Sequence, residues 1–459
     1  TNNGQSTQGI HLLDIQSQKM LDYVTTAKSW YGLVFSKNNQ FLYASGGNDN
    51  WILKYEIATN KLKLVDSIKL GDKWPVRISP TGLCINYAKN TMYVVSKENN
   101  MFYEINLETK KQIAYPLGAE AYTCVLSPDQ KQLYISLWGA DQLLVWDTEK
   151  KQSIKRLAIG DNPNELLLTK NGQYLYVANA NDNSVAVVNT KELIIEEVLN
   201  TALFPNAPNG STANGLALNE TETKLYVANA DNNNLAVFDV SNKGFSKSIG
   251  FIPTGWYPTN LKIVAGTVFV TNGKGLSSKA NPNGPNPIRR KEAVNYQAGD
   301  LKAKPKEVEY IGGLFKGSLS IFKEPSLQEL TAYTKQVYSN TPYNKNKELS
   351  TNGQLGNPIP KNVGDSSPIK HVFYIIKENR TYDQVLSDLP QGNGDSSLLL
   401  FGRNITPNQH AVAEQFVLLD NFYVDAEVSA DGHSWSTAAY ANDYNEKTWV
   451  TSHGGRGGT

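Results

Sequence analysis

A segment built on one pattern recurs along most of the chain. "FLYASGGNDNWILKYEI" begins at Phe41, "TMYVVSKENNMFYEI" at Thr91 and "QLYISLWGADQLLVWD" at Gln132. "YLYVANANDNSVAVVN" follows at Tyr174, "KLYVANADNNNLAVFD" at Lys224, and a weaker copy, "TVFVTNGKG", at Thr267. The repeated aromatic falls at Tyr43, Tyr93, Tyr134, Tyr176, Tyr226 and Phe269, in steps of 41 to 50 residues. Within each copy a period-2 run leads into an Asn/Asp/Gly turn and a second period-2 run. That alternation excludes stacked α-helical repeats, whose period is 3.6. A further strand, such as "KLVDSIKL" or "SIKRLAIG", closes each unit. Four short strands every 40-odd residues describe a β-propeller blade.

The opening "TNNGQSTQGIHLLDI" aligns with the later part of a copy. The sequence therefore predicts seven blades, the first lacking its first two strands, in a chain that starts inside a blade. "LYVANANDNSVAVVN" and "LYVANADNNNLAVFD" resemble the YVTN-type β-propeller family, and the resemblance spans residues 1–323. It implies a fold and not an activity, because propellers carry many functions. A long Pro-, Asn- and Lys-rich stretch over 275–311 interrupts the sixth copy. It exceeds what a connection needs and reads either as a lid or docking loop or as decoration.

"SLQELTAYTKQVYSNTPY", from Ser326, has apolar residues at helical spacing. The stretch after it has linker composition. The expected organisation is a propeller over 1–325, a helix and linker over 326–367, and a second domain over 368–459. Lys and Arg number 44 against 43 Asp and Glu, so a general nucleic-acid or anionic-membrane surface is not indicated. No apolar run is long enough to span a bilayer. The two cysteines, Cys84 and Cys124, lack metal-site spacing and read as buried free thiols.

Four of the five histidines (His371, His410, His433, His453) lie beyond the linker. "HVFYIIKENRTYDQV" reads as a buried strand ending in Glu378 and Asn379, followed by a helix. A carboxylate and an amide oxygen suit a hard metal ion, and equally Glu378 can pair with Arg380 or Lys377 at the surface. "FVLLDNFYV" reads as a second buried strand, and "EVSADGHSWSTAAYANDY" as a polar turn into an Ala-rich helix. Ser429 or Ser434 would stand near that helix start. There it is either an N-cap or a hydroxyl poised where backbone N–H groups favour a phosphate.

Together these segments resemble the start of an alkaline-phosphatase-like phosphoesterase domain, of the phospholipase C and acid phosphatase branch. "KENRTYD" is similar to that branch's "ENRSFD"-type element. A bacterial two-domain family places a YVTN-type propeller before such a domain. The resemblance implies an N-terminal part of an α/β domain and metal-dependent hydrolysis of a phosphate ester. Glu378 and Asn379 would hold a divalent metal ion. Ser429 would be the nucleophile, with Ser434 the runner-up, and Asp431 and His433 would lie in the site. The propeller would dock on or gate that site and could receive a protein partner. A periplasmic, cell-surface or extracellular location is implied the same way. The remaining Asp and His ligands of that superfamily do not occur before Thr459, so the expectation is a fragment inactive alone. The alternative is a non-catalytic binding or scaffold protein of a surface assembly.

Overall fold

The computed structural model describes residues 8–26, 31–73, 75–277, 284, 293–295, 307–309, 314, 316–341, 356–360, 364–424, 426 and 428–452. Each expected repeat forms an antiparallel sheet with its strands in chain order, and the first strands of consecutive sheets are neighbours. Blades I to V span 33–69, 80–116, 124–158, 163–200 and 213–253, with four strands each. Blade VI spans 256–323 and has three strands, the last (Ser318–Lys323) paired to Thr267–Asn272.

The burial pattern follows the composition. Central strands such as Thr91–Ser96 are buried at every residue, which fits their nearly unbroken apolar runs. Outer strands such as Gln152–Ala158 are mostly exposed. One core cluster lies between each pair of consecutive blades. Leu235, Val237, Leu261 and Val270 join blades V and VI, and Tyr134, Val145, Leu175 and Val188 join III and IV. In blades I to V the turn after the second strand needs a left-handed residue, and an Asn or Asp supplies it: Asn50, Asn100, Asp141, Asn183 and Asn233 have φ of 52–56°.

Two expectations change here. Among the described residues there are six blades rather than seven. The opening segment forms a two-stranded ribbon, Gly9–Leu13 with Met20–Thr25. It covers the free face of blade I through Ile10, Leu12 and Val24, and its Asp22 accepts the Leu62 N–H at 2.7 Å. Two strands bury that face without building a full blade. The second change is in the C-terminal part, where neither expected strand forms. Residues 371–377 and 417–424 lie outside any strand, with Phe373 88% and Val417 84% exposed. A strand exists only with a partner for its backbone N–H and C=O groups, and no strand pairs with either run among the described residues. The described residues of 368–452 therefore form no α/β sheet.

The helix expected from Ser326 forms, as do those expected after the "KENRTYD" and "EVSADG" segments; the helix over Asp443–Ser452 is not among those expected. α1 (Leu327–Asn340) starts with a Ser326–Glu329 capping box and packs Leu330, Thr334 and Val337 on blade V. α2 (Tyr382–Leu386), α3 (Pro407–Gln415), α4 (Ser429–Ala438) and α5 (Asp443–Ser452) follow. No helix is long and apolar enough to cross a membrane among the described residues. Most of the 275–311 insertion lies outside them. Its described part includes a short parallel pair, Ala293–Asn295 with Glu307–Glu309.

Because the blade interfaces carry the core, Leu235→Ala should cost about 2–5 kcal/mol in urea unfolding. Phe245→Ala, at a side chain 73% exposed, should change stability by less than about 0.5 kcal/mol.

Candidate functional site

In blades I to V the turn after the second strand opens on one end of the propeller. In blades II to V it presents Lys97, Trp138, Asn181 and Asp231, each one or two residues past its strand. The first strands add Asn164, Asn214 and Asn260, and Tyr122 and Tyr257 lie beside them. These side chains form a polar surface for α5.

Asp443, fully buried, is the centre of that contact. Its Oδ2 accepts the Trp138 Nε1–H at 2.8 Å, and Lys447 Nζ lies 2.6 Å from its Oδ1. Asn181 Oδ1 accepts both the Asp443 N–H at 3.0 Å and the Tyr440 hydroxyl at 2.8 Å. Lys447 also donates to Asn214 Oδ1 at 2.9 Å and lies 4.7 Å above the Tyr122 ring. Tyr257 donates its hydroxyl to Glu446 Oε2 at 2.9 Å. The Tyr444 ring stacks on Trp138 at 5.0 Å. Asn442 caps α5 by accepting the Asn445 N–H at 2.9 Å. A buried carboxylate is tolerable only when paired and hydrogen-bonded, and these donors meet that requirement.

The remaining acids of this contact are less well compensated. Burial pushes the Asp231 carboxyl up to about 6, with Thr212 and Lys274 opposing the rise. Burial and the neighbouring Asp231 push Glu446 well above the ordinary carboxylate range.

α4 packs on α5, and this brings part of the predicted constellation together. The Glu378 Oε2 lies 3.3 Å from His433 Nε2, so the "KENRTYD" segment meets the helix that Ser429 opens. Ser429 is exposed and is the helix's first residue; Val428 holds the cap position, so the N-cap reading of Ser429 does not hold. Ser434 is engaged: its Oγ donates to the Ala430 carbonyl at 3.3 Å and accepts the Asn445 Nδ2 at 2.6 Å. Asp431 is buried on the side facing Glu446. The Asn379 carbonyl accepts Arg380 Nη1 at 2.9 Å. Glu378 faces His433 rather than Lys377 or Arg380.

The other histidines separate by role. His410 is fully buried, with Nε2 2.7 Å from Asp388 Oδ1 and Nδ1 2.8 Å from the Thr406 carbonyl, a structural arrangement. His371 is exposed, and His453 lies outside the described residues. No group of three or more His, Cys, Asp or Glu is arranged to hold a metal among the described residues. Hard cations take about six oxygen ligands. Glu378 and Asn379 would supply two of them.

Sequence reasoning missed the propeller side of the contact. The available signal was register, because Lys97, Trp138, Asn181 and Asp231 occupy nearly the same position of the repeat.

Docking α5 takes Asp231 and Glu446 away from water and raises them above their undocked values. An acid so raised binds a proton on docking. The contact therefore keeps its full strength below the ordinary carboxylate range and weakens as pH rises toward the docked values. Amide-exchange protection of α5, corrected for intrinsic rates, should fall about tenfold or more between pH ~4.5 and ~7.5. Glu446→Gln should flatten that profile.

A family model described as "Lactonase, 7-bladed beta-propeller" matches residues 118–280. No curated protein sequence matches the chain. Among solved structures, the periplasmic gluconolactonase of Pseudomonas aeruginosa is similar at a TM-score of 0.51 and 16% identity, over 59% of this chain and 86% of that one. A hydrazine synthase of Kuenenia stuttgartiensis gives a TM-score of 0.49 at 16% identity, over 58% and 86%. A 6-phosphogluconolactonase candidate from Bacteroides fragilis gives 0.48 at 15%, over 58% and 85%. Blades III to VI lie within or overlap the matched segment; the repeated fold of this chain is a β-propeller, similar over residues 118–280 to the lactonase type.

Proposed function

We propose that this chain belongs to a phosphate-ester hydrolase in which Ser429 supplies the nucleophile and the propeller seats the helices that carry it. One observation carries the reading: the 3.3 Å contact between Glu378 and His433, which joins two segments some 50 residues apart at the start of α4. Ser429 and His433 are four residues apart on one helix, hence on one face. In this reading His433 accepts the Ser429 proton as the oxygen attacks phosphorus, and Glu378 orients the imidazole. The ester P–O bond breaks and the alcohol leaves with the proton that His433 returns. Water then cleaves the phosphoserine. The first backbone N–H groups of α4 favour the phosphoryl oxygens. The metal role of Glu378 and Asn379 is an implication of the resemblance alone, and no step is routed through an ion. Export to the periplasm or cell surface belongs to the same proposal.

A second reading is favoured by a different observation. An open cavity of about 520 Å³ on the propeller end is lined by Glu120, Trp138, Asp141, Asn162, Asn442 and Tyr444 among others, and the matched lactonase segment supplies several of them. A lactone hydrolase would act there. In a non-catalytic scaffold, that face would serve only to hold α5.

Hydrolysis of an aryl phosphate and of gluconolactone by the natural full-length protein separates these readings. Ser429→Ala should lower aryl phosphate turnover at least about 10³-fold, and Ser434→Ala less than about tenfold. The reverse order, or lactone turnover without phosphate-ester turnover, would overturn the first reading.

A further inference from the structure

Cys84 and Cys124 are the chain's two cysteines, and they lie on the first strands of adjacent blades, Pro80–Asn86 and Cys124–Leu126. Their Sγ atoms are 3.3 Å apart, although 40 residues separate them in sequence. The two strands are tied together two residues earlier. The Gly82 N–H donates to the Tyr122 carbonyl at 3.1 Å, and Thr81 Oγ1 donates to the Ala121 carbonyl at 3.2 Å. Gly82 allows this approach, since a Cβ there would lie 2.4 Å from Thr123 Cα. The sulfur pair is thus held by backbone contacts rather than by flexible side chains. An S–S bond of about 2.05 Å requires each sulfur to move by less than about 1 Å.

We infer that Cys84 and Cys124 are a disulfide-forming pair that staples blade II to blade III when the protein meets an oxidising thiol–disulfide pool. Cys84 is half-buried and Cys124 buried, so a small disulfide reaches Cys84 first. The Cys84 thiolate attacks one sulfur of oxidised glutathione and expels a glutathione thiolate. The Cys124 thiolate then attacks the Cys84 sulfur and expels the second glutathione. The two protein thiols lose two electrons and two protons, and one oxidised glutathione becomes two reduced ones. Burial pushes the Cys84 thiol well above its ordinary value, which marks a slow structural pair and not an activated catalytic thiol. The staple closes a long loop in the unfolded chain and stabilises the fold by restricting that state.

The test uses the whole protein, refolded from urea in a glutathione redox buffer and also incubated folded with oxidised glutathione. The expected result is loss of both thiols to Ellman's reagent after refolding, a mass lower by two hydrogens, and one peptide linking Cys84 to Cys124. The melting temperature should rise by about 4 °C, reversibly with dithiothreitol, and Cys84→Ser should show no such rise. Free thiols or a persistent glutathione adduct at Cys84 after refolding would overturn the pairing. A linked peptide with an unmoved melting temperature would overturn the stapling role.

Discussion

A propeller blade buries neither face of its sheet by itself. Each face is covered by the next blade, so the cores of this protein lie between units rather than within them. The central strands are apolar on both faces, while the outer ones meet water. The two ends of such an array need cover of another kind. At blade I a two-stranded ribbon supplies it, and the last blade is followed by α1, which returns to pack against blade V. Deviations from the repeat fall at these ends, where neighbour packing stops determining the strand pattern.

The same architecture creates the surface for the C-terminal helices. Equivalent turns converge on one end of the propeller, each delivering a side chain from nearly the same position of the repeat. Asn181 and Trp138 supply donors and acceptors that Asp443 and its helix satisfy. The contact is polar and buried, hence demanding in geometry, and it tolerates Lys447 because Asp443, Asn214 and the Tyr122 ring surround that ammonium. Its surplus of carboxyl groups makes it sensitive to protons. Propeller and helices are therefore coupled through a few residues, and α4, which carries Ser429, is held by α5 through Asn445 and Ser434.

Helices and strands of the C-terminal part were not equally legible. α1 and α2 announce themselves by their caps, Ser326 with Glu329 and Thr381, whose side chain accepts the Gln384 N–H. A helix satisfies its own backbone. The runs around Phe373 and Val417 have strand composition, yet composition cannot provide the partner whose hydrogen bonds make a strand. The seventh blade fails for a related reason: "GIHLL" matches a blade strand locally, but a blade is a property of the pairing around it.

Legible in the sequence were the repeat, the strand order within each blade, the Asn/Asp turns and the capped helix α1. All of these are local, set by period, side-chain shape and backbone conformation within a few residues. Tertiary structure alone decided the number of blades, the seating of Asp443 between Trp138 and Lys447, the contact of Glu378 with His433, and the proximity of Cys84 to Cys124. Each of these brings together groups distant in sequence, and only packing of the intervening elements fixes such a distance.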